Sequence, residues 1–144
     1  MTGLSAIIDA SLGIKVVIPN PLQEHHRDLI GRLLKQGYRL MAPVLWGYET
    51  TSVVCKAVHF EQLTLAEGQE ALTELAALAV DLIVPDWEQT QRAFDWTIRL
   101  KRAASYDSFY LALAESTGCD LWTADRRLVN AVNLPWVRMV DAGA

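Results

Sequence analysis

The feature that most constrains the fold is an alternation of short apolar runs with longer amphipathic ones. Five runs are brief and apolar on both faces, as expected for strands covered by helices on each side. Segments with helical periodicity fill the gaps between them, so the order predicts a mostly parallel sheet with helices on both faces. The candidate strands are Ser5–Ile8, Arg39–Ala42, Leu82–Val84, Leu121–Thr123 and Val137–Val140.

Capping residues mark several helix ends. Thr64, with Glu67 three residues later, forms a capping-box pattern at the start of one helix. Asp86 and Ser105 are candidate N-caps for the next two helices, and Gly118 ends the second of them. These signals fix where the helices connect to the strands.

Composition predicts one globular domain that spans residues 1–144. The chain is 51% hydrophobic and 21% charged, which excludes a disordered protein. The net charge of −4 argues against a general binder of phosphate backbones, which needs many Lys and Arg contacts. It leaves open a nuclease whose acidic residues hold cations.

The cysteines and the N-terminus indicate a cytoplasmic protein. Cys55 and Cys119 match no metal or redox spacing, and both are predicted to be buried free thiols in a reducing compartment. The N-terminal apolar run has no basic region before it and is interrupted by Asp9. We therefore expect neither a signal peptide nor a membrane-spanning helix.

Four acidic residues are placed where the ends of parallel strands meet. Asp9 and Asp125 directly follow the first and fourth candidate strands. Glu49 lies in the first turns of the helix that leaves the second strand, and Asp107 lies in the first turn of the helix that feeds the fourth. Because ligands of such sheets bind at the carboxyl ends of the strands, the four side chains are expected to share one edge.

Each acid alone also has a simpler explanation. Asp9 and Asp125 are good helix N-caps, Asp107 complements a helix dipole, and Glu49 fits a solvated helix face. Four converging carboxylates would repel one another, however, unless a cation lay between them. An all-oxygen set without His or Cys favours Mg²⁺ or Mn²⁺ over Zn²⁺.

Basic residues flank the same edge and are candidate contacts for a phosphate backbone, with a solvated charged surface as the alternative. They are Lys15, Arg99, Lys101, Arg102, Arg126 and Arg127.

Three segments, "IIDASLGIK", "APVLWGYE" and "YDSFYLALAESTGCDLWTADRRL", resemble the PIN domain family, and most closely the small ribonuclease toxins called VapC. The resemblance implies a three-layer α/β/α fold in which the four acids bind Mg²⁺ or Mn²⁺ and hydrolyse RNA phosphodiesters. It adds Ser11 or Thr123 as an accessory hydroxyl. It also implies a homodimer and a small antitoxin partner. Ser52 departs from the pattern, since similar proteins often carry Asn there.

Other functions are weaker or remain open. A phospho-receiver domain needs an acidic pair after the first strand and a Lys after the last, and the chain has neither. A phosphatase of the haloacid-dehalogenase type needs Asp-x-Asp where this chain has Asp9-Ala10-Ser11. A PIN fold that binds without cutting and a housekeeping RNA-processing nuclease stay as alternatives. The short chain favours the toxin.

Overall fold

A computed structural model describes residues 3–102 and 104–140. Its centre is a five-stranded sheet with the order β3-β2-β1-β4-β5, in which every neighbouring pair is parallel. The predicted α/β class and strand number are therefore confirmed. The strands are β1 (Ser5–Ile8), β2 (Arg39–Pro43), β3 (Asp81–Ile83), β4 (Leu121–Trp122) and β5 (Val137–Arg138).

Helices fill each connection between the strands. The helices α1 to α4 pack against one another, whereas α5 packs mainly on α6, which covers β1 and β2. Because strand order reverses after β3, right-handed crossovers place these two groups on opposite faces of the sheet. The helices are α1 (Ala10–Val17), α2 (Gln23–Lys35), α3 (Leu45–His59), α4 (Leu65–Ala77), α5 (Trp87–Arg99), α6 (Tyr106–Thr117) and α7 (Arg126–Val132).

The core is densest around β1 and α6. Residues 6–8 of β1 and residues 110–114 of α6 are all buried, and they pack with residues from every other layer. A helix that is apolar nearly all round belongs inside a protein, and α6 is apolar in this way except at its ends. This buried helix carries one of the predicted acids in its first turn.

The predicted caps are confirmed in most places. The Thr64 hydroxyl accepts from the Glu67 N–H at 3.1 Å, and the Glu67 carboxylate accepts from the Thr64 N–H at 2.8 Å. Asp86 accepts from the Gln89 N–H at 2.8 Å. Ser105 occupies the N-cap position of α6, but its side chain makes no capping bond.

Several predicted strand bounds and the predicted thiol burial need correction. The strand β2 extends one residue further than expected, to Pro43, and β4 ends one residue earlier, at Trp122. The strand β3 lies at the sheet edge, so it is partly exposed, and it begins one residue earlier than expected, at Asp81. The strand β5 ends at Arg138 rather than at Val140. Cys55 is exposed on α3 instead of buried, and Cys119 is half-buried. None of the helices in the described part of the chain is long and apolar enough to cross a membrane.

Candidate active site

Asp9 is a buried carboxylate at the carboxyl end of β1. One of its oxygens, Oδ1, caps α1 by accepting from the Leu12 N–H at 3.0 Å and also accepts from the Ser11 hydroxyl at 2.7 Å. The other oxygen accepts from the Thr123 hydroxyl. Burial raises the pKa of Asp9 to about 6, with a smaller contribution from the charge of Asp107, although the three hydrogen bonds oppose this shift. Both accessory hydroxyls predicted from the sequence therefore contact this acid.

Trp46 fixes the helices that carry Asp9 and Glu49. Its indole Nε1 donates to the main-chain oxygen of Asp9 at 3.1 Å. The ring lies against Gly13 of α1 so closely that a Cβ atom there would come within 2.8 Å of Trp46 Cζ2. Only a glycine permits this approach of α1 to α3. Sequence reasoning does not single out Trp46, because a buried Trp in an apolar segment looks like ordinary core.

Glu49 lies on α3 and is held by a tyrosine. Its Oε1 accepts from the Tyr110 hydroxyl at 2.7 Å. Partial burial is the main cause that raises the pKa of Glu49; the charge of Asp107 adds to it, and the Tyr110 bond opposes it. Tyr110 is 1% exposed, and burial raises its own pKa, so the phenol stays protonated as a donor. Ser52, which departs from the family resemblance, is exposed, and Tyr110 is the described hydrogen-bond donor to Glu49.

Asp107 occupies the first turn of α6, as the sequence predicts. Its Oδ2 accepts from Arg102 Nη1 at 2.7 Å, which makes an ion pair of two half-buried side chains. The neighbouring Ser108 is buried and its hydroxyl accepts from Thr97 at 2.8 Å, which joins α6 to α5. The first turn of α6, which carries the Asp107 carboxylate, is therefore held by the Arg102 ion pair and by the Thr97–Ser108 hydrogen bond.

Asp125 is the N-cap of α7, directly after β4. Its Oδ1 accepts from the N–H groups of Arg127 at 3.0 Å and Leu128 at 3.3 Å. Its own N–H donates to the Thr123 hydroxyl at 3.0 Å. Thr123 therefore connects Asp125 to Asp9. The capping role that the sequence suggests for Asp125 is confirmed, and it coexists with a place at the site.

All four acids line one pocket of about 320 Å³ at the carboxyl edge of the sheet. The side chains of Ser11, Tyr110 and Lys15 complete its polar lining. Within residues 3–102 and 104–140, no three Asp, Glu, His or Cys side chains are grouped tightly enough to hold one ion by themselves. The donor chemistry still fits Mg²⁺ or Mn²⁺, because Mg²⁺ usually takes one or two carboxylates and keeps several waters.

Two of the six predicted RNA-contacting residues lie at the pocket, and the other four lie outside its lining. Lys15 is exposed and lines the pocket, and Arg102 is paired with Asp107. Arg99 lies over the Trp96 ring at 4.4 Å from its centroid, outside the pocket lining. The remaining three are exposed near the ends of α5 and α7; they are Lys101, Arg126 and Arg127.

Comparison with known proteins places the chain in a family. A PIN domain model matches residues 6–133. Ribonuclease VapC9 from Mycobacterium tuberculosis is 32% identical over 124 residues, which are 85% of this chain and 87% of the relative.

Solved structures share the fold. PAE2754 from Pyrobaculum aerophilum superposes with a TM-score of 0.67 at 19% identity, covering 95% of this chain and 84% of that chain. VapBC2 from Rickettsia felis, bound to a DNA fragment from its promoter, gives a TM-score of 0.68 at 13% identity, covering 94% of this chain and 97% of that chain. The chain therefore belongs to the PIN domain family, as the three motifs in its sequence predict.

Proposed function

We propose that this protein is a divalent-metal-dependent endoribonuclease and the toxin of a toxin–antitoxin pair. The observation that carries the proposal is the convergence of four carboxylates, from four separate segments, on one pocket. The relatives named as VapC ribonucleases support the same activity. A protein that only binds RNA gains nothing from a cluster of mutually repelling acids.

The acids would hold one or two Mg²⁺ or Mn²⁺ ions. Asp9 and Asp107 are the principal ligands in this proposal, and Glu49 and Asp125 bind a second ion or orient water. Held by these acids, a divalent ion would supply a water of lowered pKa and would offset charge on the scissile phosphate.

The chain's own residues then set the geometry. Ser11 and Thr123 fix the orientation of the Asp9 carboxylate, and Tyr110 does the same for Glu49. Glu49, held by the Tyr110 hydroxyl, would orient the attacking water and accept its proton. Water would add to phosphorus as the P–O3′ bond breaks, and O3′ would take up the proton that the water released, which leaves a 3′ hydroxyl and a 5′ phosphate.

The RNA would approach across the rim of the pocket. Lys15 lies at the lining and is the nearest candidate to contact a phosphate. The exposed Arg126 and Arg127 extend this positive surface past Asp125. Single-stranded or looped RNA is the substrate in this proposal, because its backbone can follow a groove of this kind.

A second copy of the chain would cover α5. Trp87, Phe94 and Ile98 are 83%, 63% and 61% exposed, and they recur on one side of that helix. We assign this stripe to a homodimer, and Phe94→Glu should convert the dimer to a monomer in sedimentation equilibrium. A monomeric parent protein would contradict this assignment.

A small antitoxin would bind the acidic pocket and block it. One structural neighbour is a toxin-antitoxin complex from Klebsiella pneumoniae, with a TM-score of 0.66 at 15% identity. We propose an antitoxin partner for this chain as well, and cationic side chains of that partner would complement the carboxylates. An RNA substrate and such a partner are both consistent with a cytoplasmic location.

The test is cleavage of total cellular RNA by purified protein with Mg²⁺, with Mn²⁺ and with EDTA. We expect cleavage with metal, none with EDTA, and none by the Asp107→Asn variant. Loss of cleavage in the variant together with an unchanged circular dichroism spectrum would separate catalysis from folding. Cleavage that persists in EDTA would contradict the metal-dependent mechanism. No cleavage under any condition, with no Mn²⁺ binding, would favour the silent binding module.

A further inference from the structure

The C-terminal end of α5 fixes the backbone position of Arg102. The Arg102 N–H donates to the Thr97 carbonyl at 3.1 Å, and the Lys101 N–H donates to the Ile98 carbonyl at 3.1 Å. This pair of bonds is a Schellman motif. The motif needs a left-handed residue, and Lys101 adopts it with φ of 55° although glycine would be more favourable there. The chain therefore accepts a strained lysine while it fixes the backbone of Arg102.

The fixed arginine reaches back to the active site. Arg102 Nη1 lies 2.7 Å from Asp107 Oδ2, and the two side chains are 28% and 39% exposed. Asp107 lines the acidic pocket with Asp9 and Glu49, and Arg102 does not, so the ion pair lies at the edge of the acidic cluster. A cation from the chain itself thus occupies one oxygen of a principal candidate ligand.

A guanidinium and a metal ion cannot share this oxygen freely. Both are cations, and Mg²⁺ lies only about 2.0–2.1 Å from its oxygen ligands, which brings it close to any guanidinium on the same carboxylate. Their mutual repulsion weakens whichever binds second. Loading of the site therefore requires Arg102 to leave Asp107 or to tolerate an unfavourable neighbour.

We infer that Arg102 is a built-in counterion that competes with the divalent ion for Asp107 and so lowers the metal affinity of the site. The inference rests on the proposed function, since it takes Asp107 as a metal ligand. It assigns Arg102 a positioning role. In the metal-free protein it neutralises Asp107, and it sets how much divalent ion is needed before the site fills.

The chain offers a matched control for this idea. Arg138 forms an ion pair with Asp120 at 3.2 Å, outside the acidic pocket. Arg102→Gln and Arg138→Gln change the net charge equally, and each removes one arginine from one aspartate. The Schellman motif uses the backbone N–H of Arg102, so Arg102→Gln leaves the end of α5 intact.

The experiment is a calorimetric titration of the metal-free proteins with Mn²⁺. We expect Arg102→Gln to bind Mn²⁺ on the order of tenfold more tightly than the parent, whereas Arg138→Gln binds with the parent's affinity. Arg102→Lys keeps a cation but loses the planar fork, so its affinity should fall between those of the parent and Arg102→Gln.

Other results would overturn the inference. If Arg102→Gln binds Mn²⁺ no more tightly than the parent while the parent cleaves RNA with Mn²⁺, the counterion role is wrong and the nuclease proposal stands. If Arg138→Gln gains as much affinity as Arg102→Gln, the effect is one of net charge and the pairing with Asp107 is irrelevant. If no variant binds Mn²⁺ and the parent does not cleave, both proposals fail.

Discussion

The acidic residues at the two edges of the sheet have different kinds of partner. At the amino ends of the strands, Asp81 pairs with Arg39 and Asp120 pairs with Arg138. At the carboxyl ends, the described donors to Asp9 and Asp125 are hydroxyl and amide groups, and Glu49 accepts from a phenol. Neutral donors orient a carboxylate without cancelling its charge. The carboxyl edge therefore keeps its negative charge for a cation from outside, with Arg102 as the exception.

The largest expected effect is the difference in RNA cleavage between a variant at the carboxyl edge and a variant at the amino edge. We expect Asp9→Asn to lower RNA cleavage by about a thousandfold or more, because it removes the most buried negative charge of the site. Asp120→Asn should leave cleavage within about twofold of the parent, because Asp120 lies outside the acidic pocket and solvent screens its ion pair with Arg138. Initial rates at saturating Mn²⁺ measure both. Equal losses in the two variants would remove the functional contrast between the edges.

The second prediction uses the stability of the metal-free protein. The pKa of Asp9 is about 6 in the folded state against an ordinary value of 3.8, so folding takes up a proton between these values. As pH rises through this window, the free energy of unfolding of the parent therefore falls by up to about 3 kcal/mol. Asp9→Asn removes this cost.

We expect Asp9→Asn in EDTA to be more stable than the parent by about 1–2 kcal/mol at pH 8, less than the full shift because the new amide faces the Thr123 hydroxyl. The advantage should shrink towards pH 4. Urea unfolding at several pH values measures it. A difference that stays constant from pH 4 to pH 8 would mean that the charge of Asp9 is not destabilising.

The third prediction tests the phenol that holds Glu49. Tyr110→Phe should lower cleavage by about tenfold, because Glu49 loses its only described hydrogen bond. That bond lowers the pKa of Glu49, so its loss should also move the acid limb of the pH–rate profile to higher pH. Tyr38→Phe, on a half-buried tyrosine outside the acidic pocket, is the control. A rate change without movement of the profile would indicate a packing effect.

The smallest effect concerns the amino edge itself. Asp120→Asn should destabilise the protein by at most about 0.5 kcal/mol, because its ion pair with Arg138 is exposed and contributes little. Urea unfolding at low and at high salt measures this difference. A loss above about 2 kcal/mol would show that the pairs at this edge are structural in a way that exposure does not predict.

The sequence predicts the site at the level of the backbone and not at the level of contacts. Strand periodicity and the rule for carboxyl ends place Asp9 and Asp125 correctly. The helical period places Asp107 on a helix that faces inward. Each of these inferences uses only chain position, which local pattern controls.

The contacts depend on how distant helices pack. The bonds of Tyr110 to Glu49 and of Trp46 to Asp9 join residues 61 and 37 positions apart. The pairing of Arg102 with Asp107 is local, but it relies on a left-handed lysine that no sequence signal marks. The predicted burial of the edge strand β3 and of Cys55 is wrong because apolar runs do not reveal which strand lies outermost or which helix face meets solvent.

The burial of α6 has a consequence for how such an enzyme can diversify. Asp107 and Tyr110 sit on the helix with the most continuous burial, and Asp9 ends the central strand. A change in the size of Tyr110, the buried support of Glu49, would therefore disturb the core as well. Tyr48 and Tyr106, by contrast, are 70% and 59% exposed beside Glu49. In the proposed ribonuclease, substitutions on that rim would change RNA preference while the proposed acidic site stays constant.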